Sequence, residues 1–332
     1  MQKMNGHRIF WFSICLLLMT MLAACSANES VEKKETQQNG DSGYDKVVVH
    51  NMGHTVTYTE PPKRAVALNQ HATEIMLALG LQDSMVGTAY LDDQILPKYQ
   101  DAYKKVPVLA KEYPSKEVFL AAEPDFAYAG WKSAFTEKSL GTVQELEESG
   151  IKTYVQESSN KTGPTLEDVN NDIENIGRIF HVEAKATEVI NQMKKEIEDT
   201  TKQIGTVEKP LNVFVYDSGE DKPFTAANNY LTHLIKMAGG KNIFDDIPKG
   251  WADVSWEEVV NRNPDVIVII DYGDTTVKQK QELLLSKTEL ADVPAIKNKR
   301  FIILPLSAGA EGIRAPLALK TLAEGLYPDK FN

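Results

Sequence analysis

Residues 114–125, PSKEVFLAAEPD, and residues 254–265, VSWEEVVNRNPD, share one skeleton: Ser-x-Glu, six residues, then Pro-Asp. Ser115, Glu117, Pro124 and Asp125 fall on Ser255, Glu257, Pro264 and Asp265 with no gap. Each copy reads as a short amphipathic helix running into a Pro-Asp turn. Each is followed by a short apolar run, FAYAG (126–130) or VIVIID (266–271), that reads as a buried strand. The chain therefore builds the same helix–turn–strand unit in each of its halves.

Working outward, strand-like and helix-like segments alternate. RAVALN (64–69) is a strand, and ATEIMLALG (72–80) is a helix closed by Gly80. The strand SMVGTAY (84–90) follows, then the first copy, a helix over about 135–149 and the strand IKTYVQ (151–156). The second half restarts with the strand LNVFVYD (211–217) and the helix NNYLTHLIKMAGG (228–240). After the second copy come a helix near 276–288, the strand RFIILPL (300–306) and a helix over about 314–325. Such alternation argues for parallel sheets flanked by helices, an α/β fold. Residues 165–205 contain no Pro and carry a helical apolar rhythm, from Ile173 to Ile197. They read as two consecutive helices, the second over about 182–204 and about 33 Å long at 1.5 Å per residue. The apolar pattern covers too few heptads for a coiled coil, so a rigid connecting helix is expected.

At 332 residues, with 42% hydrophobic and 25% charged residues, the chain has an ordinary globular composition and room for two domains. A formal net charge of -11 makes the chain a poor candidate for a nucleic-acid binder, which needs clustered Lys and Arg. Any anionic ligand would have to be met by a local basic pocket.

Lys3 and Arg8 precede the apolar segment IFWFSICLLLMTMLAA (9–24), which is of signal-peptide length and short for a membrane span. It ends in LAAC (22–25), which resembles the lipobox of bacterial lipoproteins, with Cys25 lipidated after cleavage. A plain membrane anchor with Cys25 incidental is the alternative. Cleavage removes two bases and no acid, moving the net charge from -11 to -13. It also removes Cys15, so no internal disulfide is expected. The polar stretch 26–43 reads as a flexible tether. The expected layout is a signal peptide (1–24), a tether (25–43), lobes at 44–180 and 207–332, and a connecting helix (181–206).

Together these segments resemble the substrate-binding lipoproteins of bacterial ABC importers, in the class that takes up ferric siderophores, haem and cobalamin. The resemblance is carried by PKRAVALNQHATEIMLALGLQDSMVG (62–87), both copies of the repeat, GGKNIFDD (239–246) and RAPLALKTLAEGLYP (314–328). It implies two Rossmann-like lobes with a ligand cleft between them and a helical hinge that permits modest closure. It also implies a monomeric receptor without cofactor or enzymatic activity, held on the extracytoplasmic face of the cell membrane. The receptor would deliver a ferric siderophore, or alternatively haem or cobalamin, to a permease dimer with its ATPase. Glu117 and Glu257 would be the acids that dock on the permease, one per lobe. Helix capping by Ser115 and Ser255 accounts for part of the same pattern without a permease.

In open α/β sheets ligands sit off the carboxyl ends of the strands. The loops there place Tyr90, Tyr113, Trp131, Tyr216 and Tyr272 as aromatic contacts, with Trp251 at the rim. Lys111, Lys132 and Arg314 would form a basic cluster for an anionic chelate; Lys111 and Lys132 read equally as solvated surface, and Arg314, the stronger of the three, could instead cap a helix or pair with Glu311. His71 either ligates iron or hydrogen-bonds beside the pocket. A bare-metal site is disfavoured because His50, His54, His71, His181 and His233 are scattered. No GxSxG, HExxH or phosphate-loop pattern supports an enzyme. A surface-anchored enzyme, adhesin or sensory lipoprotein is the reading from a different class.

Overall fold

The computed structural model describes residues 45–331; the leader, Cys25 and the tether lie outside the described residues. A hairpin of β1 (Val47–Asn51) and β2 (His54–Tyr58) precedes a five-stranded parallel sheet. That sheet comprises β3 (Ala65–Leu68), β4 (Met85–Ala89), β5 (Val108–Ala110), β6 (Phe126–Ala129) and β7 (Lys152–Val155), ordered β5-β4-β3-β6-β7. Its helices are α1 (Gln70–Ala78), α2 (Lys116–Ala121) and α3 (Val143–Glu148). Then α4 (Leu166–Ile179) and α5 (Glu183–Ile204) lead into the second half. There β8 (Leu211–Tyr216), β9 (Phe224–Ala226), α6 (Tyr230–Met237), β10 (Gly240–Asn242), β11 (Trp251–Asp253) and α7 (Trp256–Arg262) follow. The chain finishes with β12 (Val266–Asp271), α8 (Val277–Ser286), β13 (Phe301–Pro305) and α9 (Ala315–Leu326). The second parallel sheet is ordered β10-β8-β12-β13, while β9 and β11 make a separate antiparallel pair. The protein is thus two Rossmann-like α/β lobes.

Period-2 alternation explains how one strand buries both faces. Ala65, Ala67, Val213, Val215, Val266 and Val268 join a core that runs through α4, α5 and α9 into both lobes. Their neighbours Val66 and Leu68 fill the outer core of the first lobe, and Phe214, Tyr216, Ile267 and Ile269 that of the second. At 22 residues, α5 spans about 33 Å and packs on α4 and on α9. Gly177 permits the close turn from α4, since a Cβ there would lie 2.6 Å from the Ala186 Cβ.

The repeat folds alike in both lobes. Ser115 Oγ accepts from Val118 N at the start of α2, and Ser255 Oγ from Glu258 N at the start of α7. Only the second is a full capping box, closed by Glu258. Two expectations needed correction. The helix expected over 135–149 is only Val143–Glu148, because Gly141 at φ 107 breaks the chain and Thr142 with Glu145 starts the helix afresh. The strands β5, β9, β10 and β11 go beyond the sequence reading, because three residues are too few to show a period. Among the described residues no helix is long and apolar enough to cross a membrane.

Candidate ligand-binding cleft

The loops at the carboxyl ends of β3, β6, β8, β12 and β13 close around a cavity of about 200 Å³. The first lobe contributes His71 at the start of α1 and Trp131 after β6. Their rings meet edge to face, with centroids 5.2 Å apart. His71 Nε2 is 3.2 Å from Ser159 Oγ. This approach depends on Gly130, where a Cβ would fall 2.2 Å from His71 Nε2. Burial pushes the His71 pKa down to about 4, against the hydrogen bond at the Gly130 backbone, so the imidazole is neutral at pH 7.

The second lobe contributes Trp251 and Phe224, stacked with centroids 5.6 Å apart, together with Asp217 and Tyr272. The Tyr272 hydroxyl donates to Asp217 Oδ2 at 2.7 Å, and Ser218 Oγ donates to the same oxygen at 2.8 Å. Burial, and then Asp217, push the Tyr272 pKa up to about 12. Behind this wall, buried Lys280 Nζ donates to the carbonyls of Asp217 and Ile270, each at 2.6 Å. Lys280 thereby joins the ends of β8 and β12, where the strand order of this sheet reverses.

After β13 the chain supplies Ser307 and Glu311. Burial raises the Glu311 pKa to about 7, with a hydrogen bond from Ser159 opposing. Asp92 is also raised, by burial and then by Asp93. The lining thus carries three carboxyl groups, Asp92, Asp217 and Glu311, with neither Lys nor Arg among its described residues. Among the described residues no group of three or more His, Cys, Asp or Glu could hold a metal ion.

Of the ten residues expected at the ligand, the cavity brings together His71, Trp131, Trp251 and Tyr272. Tyr90 and Tyr113 instead pack against each other at 4.7 Å, with the Tyr113 hydroxyl donating to Asn69 Oδ1. Lys111 and Lys132 are exposed and outside the lining. Tyr216 is 2% exposed and turned into the outer core; strand parity hands the cleft to Asp217 instead. Arg314 is 6% exposed, behind the lining, and is not available to a ligand. It pairs with Glu74 and Asp93, not Glu311. Its partner Glu74 lies 240 positions away, and no local pattern announces such a pair. Glu311 lies in the loop SAGAEGIR (307–314), whose acid had looked like a partner for Arg314 rather than a wall of the cleft.

The sequence model of a family described as periplasmic binding protein matches residues 66–308. A Bacillus subtilis protein named an uncharacterized ABC transporter substrate-binding lipoprotein, YvrC, is 26% identical over 336 residues, covering 100% of both chains. A vitamin B12-binding protein of Vibrio parahaemolyticus is 28% identical over 63% of this chain and 70% of its own. Among solved structures, a periplasmic binding protein from Veillonella parvula is 34% identical, with a TM-score of 0.79 over 85% of this chain and 98% of its own.

Proposed function

Since the chain belongs to the periplasmic binding protein family, as a substrate-binding protein of an ABC importer, we propose that its cleft takes a neutral or cationic metal chelate, foremost a corrinoid. The observation that carries this reading is the lining itself: an aromatic wall with three carboxyl groups and no Lys or Arg among the described residues. Aromatic faces suit a flat, rounded macrocycle, and carboxylates suit the amide donors at its edge. The resemblance to a vitamin B12-binding protein supports the same choice. An anionic chelate or an oxyanion would meet the Asp217 carboxylate with no Lys or Arg of the lining to pair with it, since Lys280 behind the wall is taken up by two backbone carbonyls. A ferric siderophore fits the cleft if its complex is neutral or cationic, as with a hydroxamate. A cavity of about 200 Å³ is small for a corrinoid, so the lobes must separate to admit it.

Glu117 and Glu257 are exposed, one per lobe, and are the proposed contacts with the permease. The layout that accompanies this reading is a leader (1–24), a tether (25–43), lobes at 44–180 and 207–332, and a connecting helix (181–206). Lipidation at Cys25 would hold the receptor at the extracytoplasmic face, which the similarity to a named lipoprotein supports.

Tryptophan fluorescence is a direct probe, because Trp131 and Trp251 both line the cavity. Titration with cyanocobalamin, a ferric hydroxamate, a ferric catecholate, haem and molybdate is expected to give the tightest quenching with cyanocobalamin. Tightest binding of the catecholate, haem or molybdate would overturn the charge argument. Silence toward all five would overturn the chelate reading.

A further inference from the structure

The segment 306–314 follows β13 and belongs by sequence to the second lobe, yet it is bonded to the first. Arg314 donates to both carboxylate oxygens of Glu74 on α1, at 2.7 Å from Nε and 2.7 Å from Nη2. Nη1 reaches Asp93 Oδ2 at 3.0 Å and Ser307 Oγ at 2.9 Å, and Nη2 reaches the Gln94 carbonyl at 2.5 Å. All five guanidinium protons are thereby used. Ser307 Oγ also donates to Asp93 Oδ2 at 2.8 Å. From the end of β7, Gln156 Nε2 donates to the Glu311 carbonyl. Gly312 lies so near α1 that a Cβ there would come within 3.0 Å of the His71 Cβ. A further bond, Gly163 N to Asn228 O at 2.9 Å, joins the lobes near the start of α4. The aromatic walls differ: among the described residues Trp131, Trp251 and Phe224 make no hydrogen bond across the cleft.

We propose that the Arg314–Glu74–Asp93 cluster is a pivot pin that holds segment 306–314 against the first lobe, so that the cleft opens between Trp131 and Trp251. Arg314 is then a positioning residue. It fixes Ser307 and Glu311 as a floor that keeps its place while the aromatic walls part. A bidentate Arg–carboxylate pair suits this task because it holds orientation as well as distance. Five bonds around one buried side chain cannot yield gradually. The lobes separate there only if the buried Glu74 is left without its counter-charge, which is strongly unfavourable. Against the five bonds of the pin, the aromatic side has the backbone bond from Gly163 to Asn228, whose own N donates to Lys249 O, so a small hinge rotation is absorbed there.

The test uses distances read without cargo, so it stands or falls separately from the choice of ligand. In a Cys15→Ser/Cys25→Ser background, one spin-label pair is placed at Lys98→Cys and Leu317→Cys, across the pin. A second pair is placed at Lys132→Cys and Lys249→Cys, beside the aromatic walls; all four positions are exposed. A single narrow distance is expected across the pin, and a broad distribution across the aromatic side. Arg314→Met is expected to abolish the narrow peak. Should that variant fold poorly, Glu74→Leu/Arg314→Met removes both buried charges and keeps the fold, with the same loss of the peak. A pin pair as broad as the aromatic pair before mutation, or a narrow peak that survives in the folded variant, overturns the proposal.

Discussion

In the first lobe Asp125 accepts hydrogen bonds from Lys63 N at 2.8 Å and Arg64 N at 2.9 Å, tying the entry of β6 to that of β3. In the second lobe Asp265 does the same for β12 and β8, through Asn212 N at 2.9 Å. The likeness extends along the unit: residues 121–130 and 261–270 show the same succession of exposed, half-buried and buried positions. Ser caps the helix, Pro ends it, and Asp anchors the next strand. The copies part at the cleft. Gly130 leaves room for His71, whereas its counterpart Ile270 lines the cavity and offers its carbonyl to Lys280. Shared residues thus build the lobes, and differing ones shape the cavity. Glu117 and Glu257 are the exception, repeated and exposed, with no ion pair among the described residues.

The anchors give the largest expected effect. Hydrogen bonds to a charged acceptor contribute about 1.5–3 kcal/mol each. Asp125→Ala, which loses two, should destabilise by about 3 kcal/mol, and Asp265→Ala, which loses one, by about 1.5 kcal/mol. Urea denaturation with an unchanged m-value would measure both. Equal losses would mean that the first lobe's second bond is idle.

The cleft walls should differ in their pH dependence. His71, lowered to about 4 in the fold, binds fewer protons there than in the unfolded chain between about pH 4 and 6.5. Its contribution to stability therefore rises with pH across that window. Glu311, raised to about 7, binds more protons in the fold between about pH 4.5 and 7, so its contribution falls as pH rises. The two oppose each other where the windows overlap. Relative to the unmodified protein, Glu311→Gln should gain stability with rising pH and His71→Gln should lose it. Each slope should approach about 1.4 kcal/mol per pH unit. Parallel curves for the two variants would show that neither group titrates as its burial dictates.

These contrasts also mark how far the sequence could be read. Runs such as VIVIID declare buried strands because hydrophobic burial is local and periodic. The doubled Ser-x-Glu…Pro-Asp declares two lobes because capping and anchoring each need a residue at a set spacing. Site geometry is not local in that way. Tyr216 looked available at a strand end, but one step of strand parity turns it into the core and gives the cleft to Asp217. Arg314 read as a ligand contact or a partner of nearby Glu311 because Glu74, its actual counter-charge, is brought beside it only by the packing of one lobe on the other.

The exposed repeat acids sharpen the comparison in a living cell. Each Glu→Lys change at 117 or 257 should lower cargo uptake about tenfold through lost steering and like-charge repulsion at the permease. Cargo affinity, measured on the same purified variants, should be unchanged. Uptake that survives the double replacement would reduce the repeat to its architectural role.

The smallest expected effect lies at the turn itself. Glu123 and Asn263, each just before the repeat's Pro, adopt the left-handed conformation, with φ 47 and φ 48. Asn tolerates that region because its short polar side chain can bond locally; a longer side chain such as Glu is strained there by roughly 1 kcal/mol. Glu123→Asn should therefore stabilise the protein by about 0.5–1 kcal/mol, and Asn263→Glu should destabilise it by a similar amount. Against the gain stands the Glu123–Arg64 ion pair, at 3.7 Å with the Glu123 side chain 82% exposed. Pairs so exposed contribute little. Arg64 is held mainly by the carbonyls of Glu123 and Ala122, at 2.6 and 2.7 Å, which the substitution leaves in place. Denaturation midpoints at constant m-value decide the matter. A lower midpoint for Glu123→Asn would show that the ion pair outweighs the backbone, and that the two turns are alike in shape but not in what holds them.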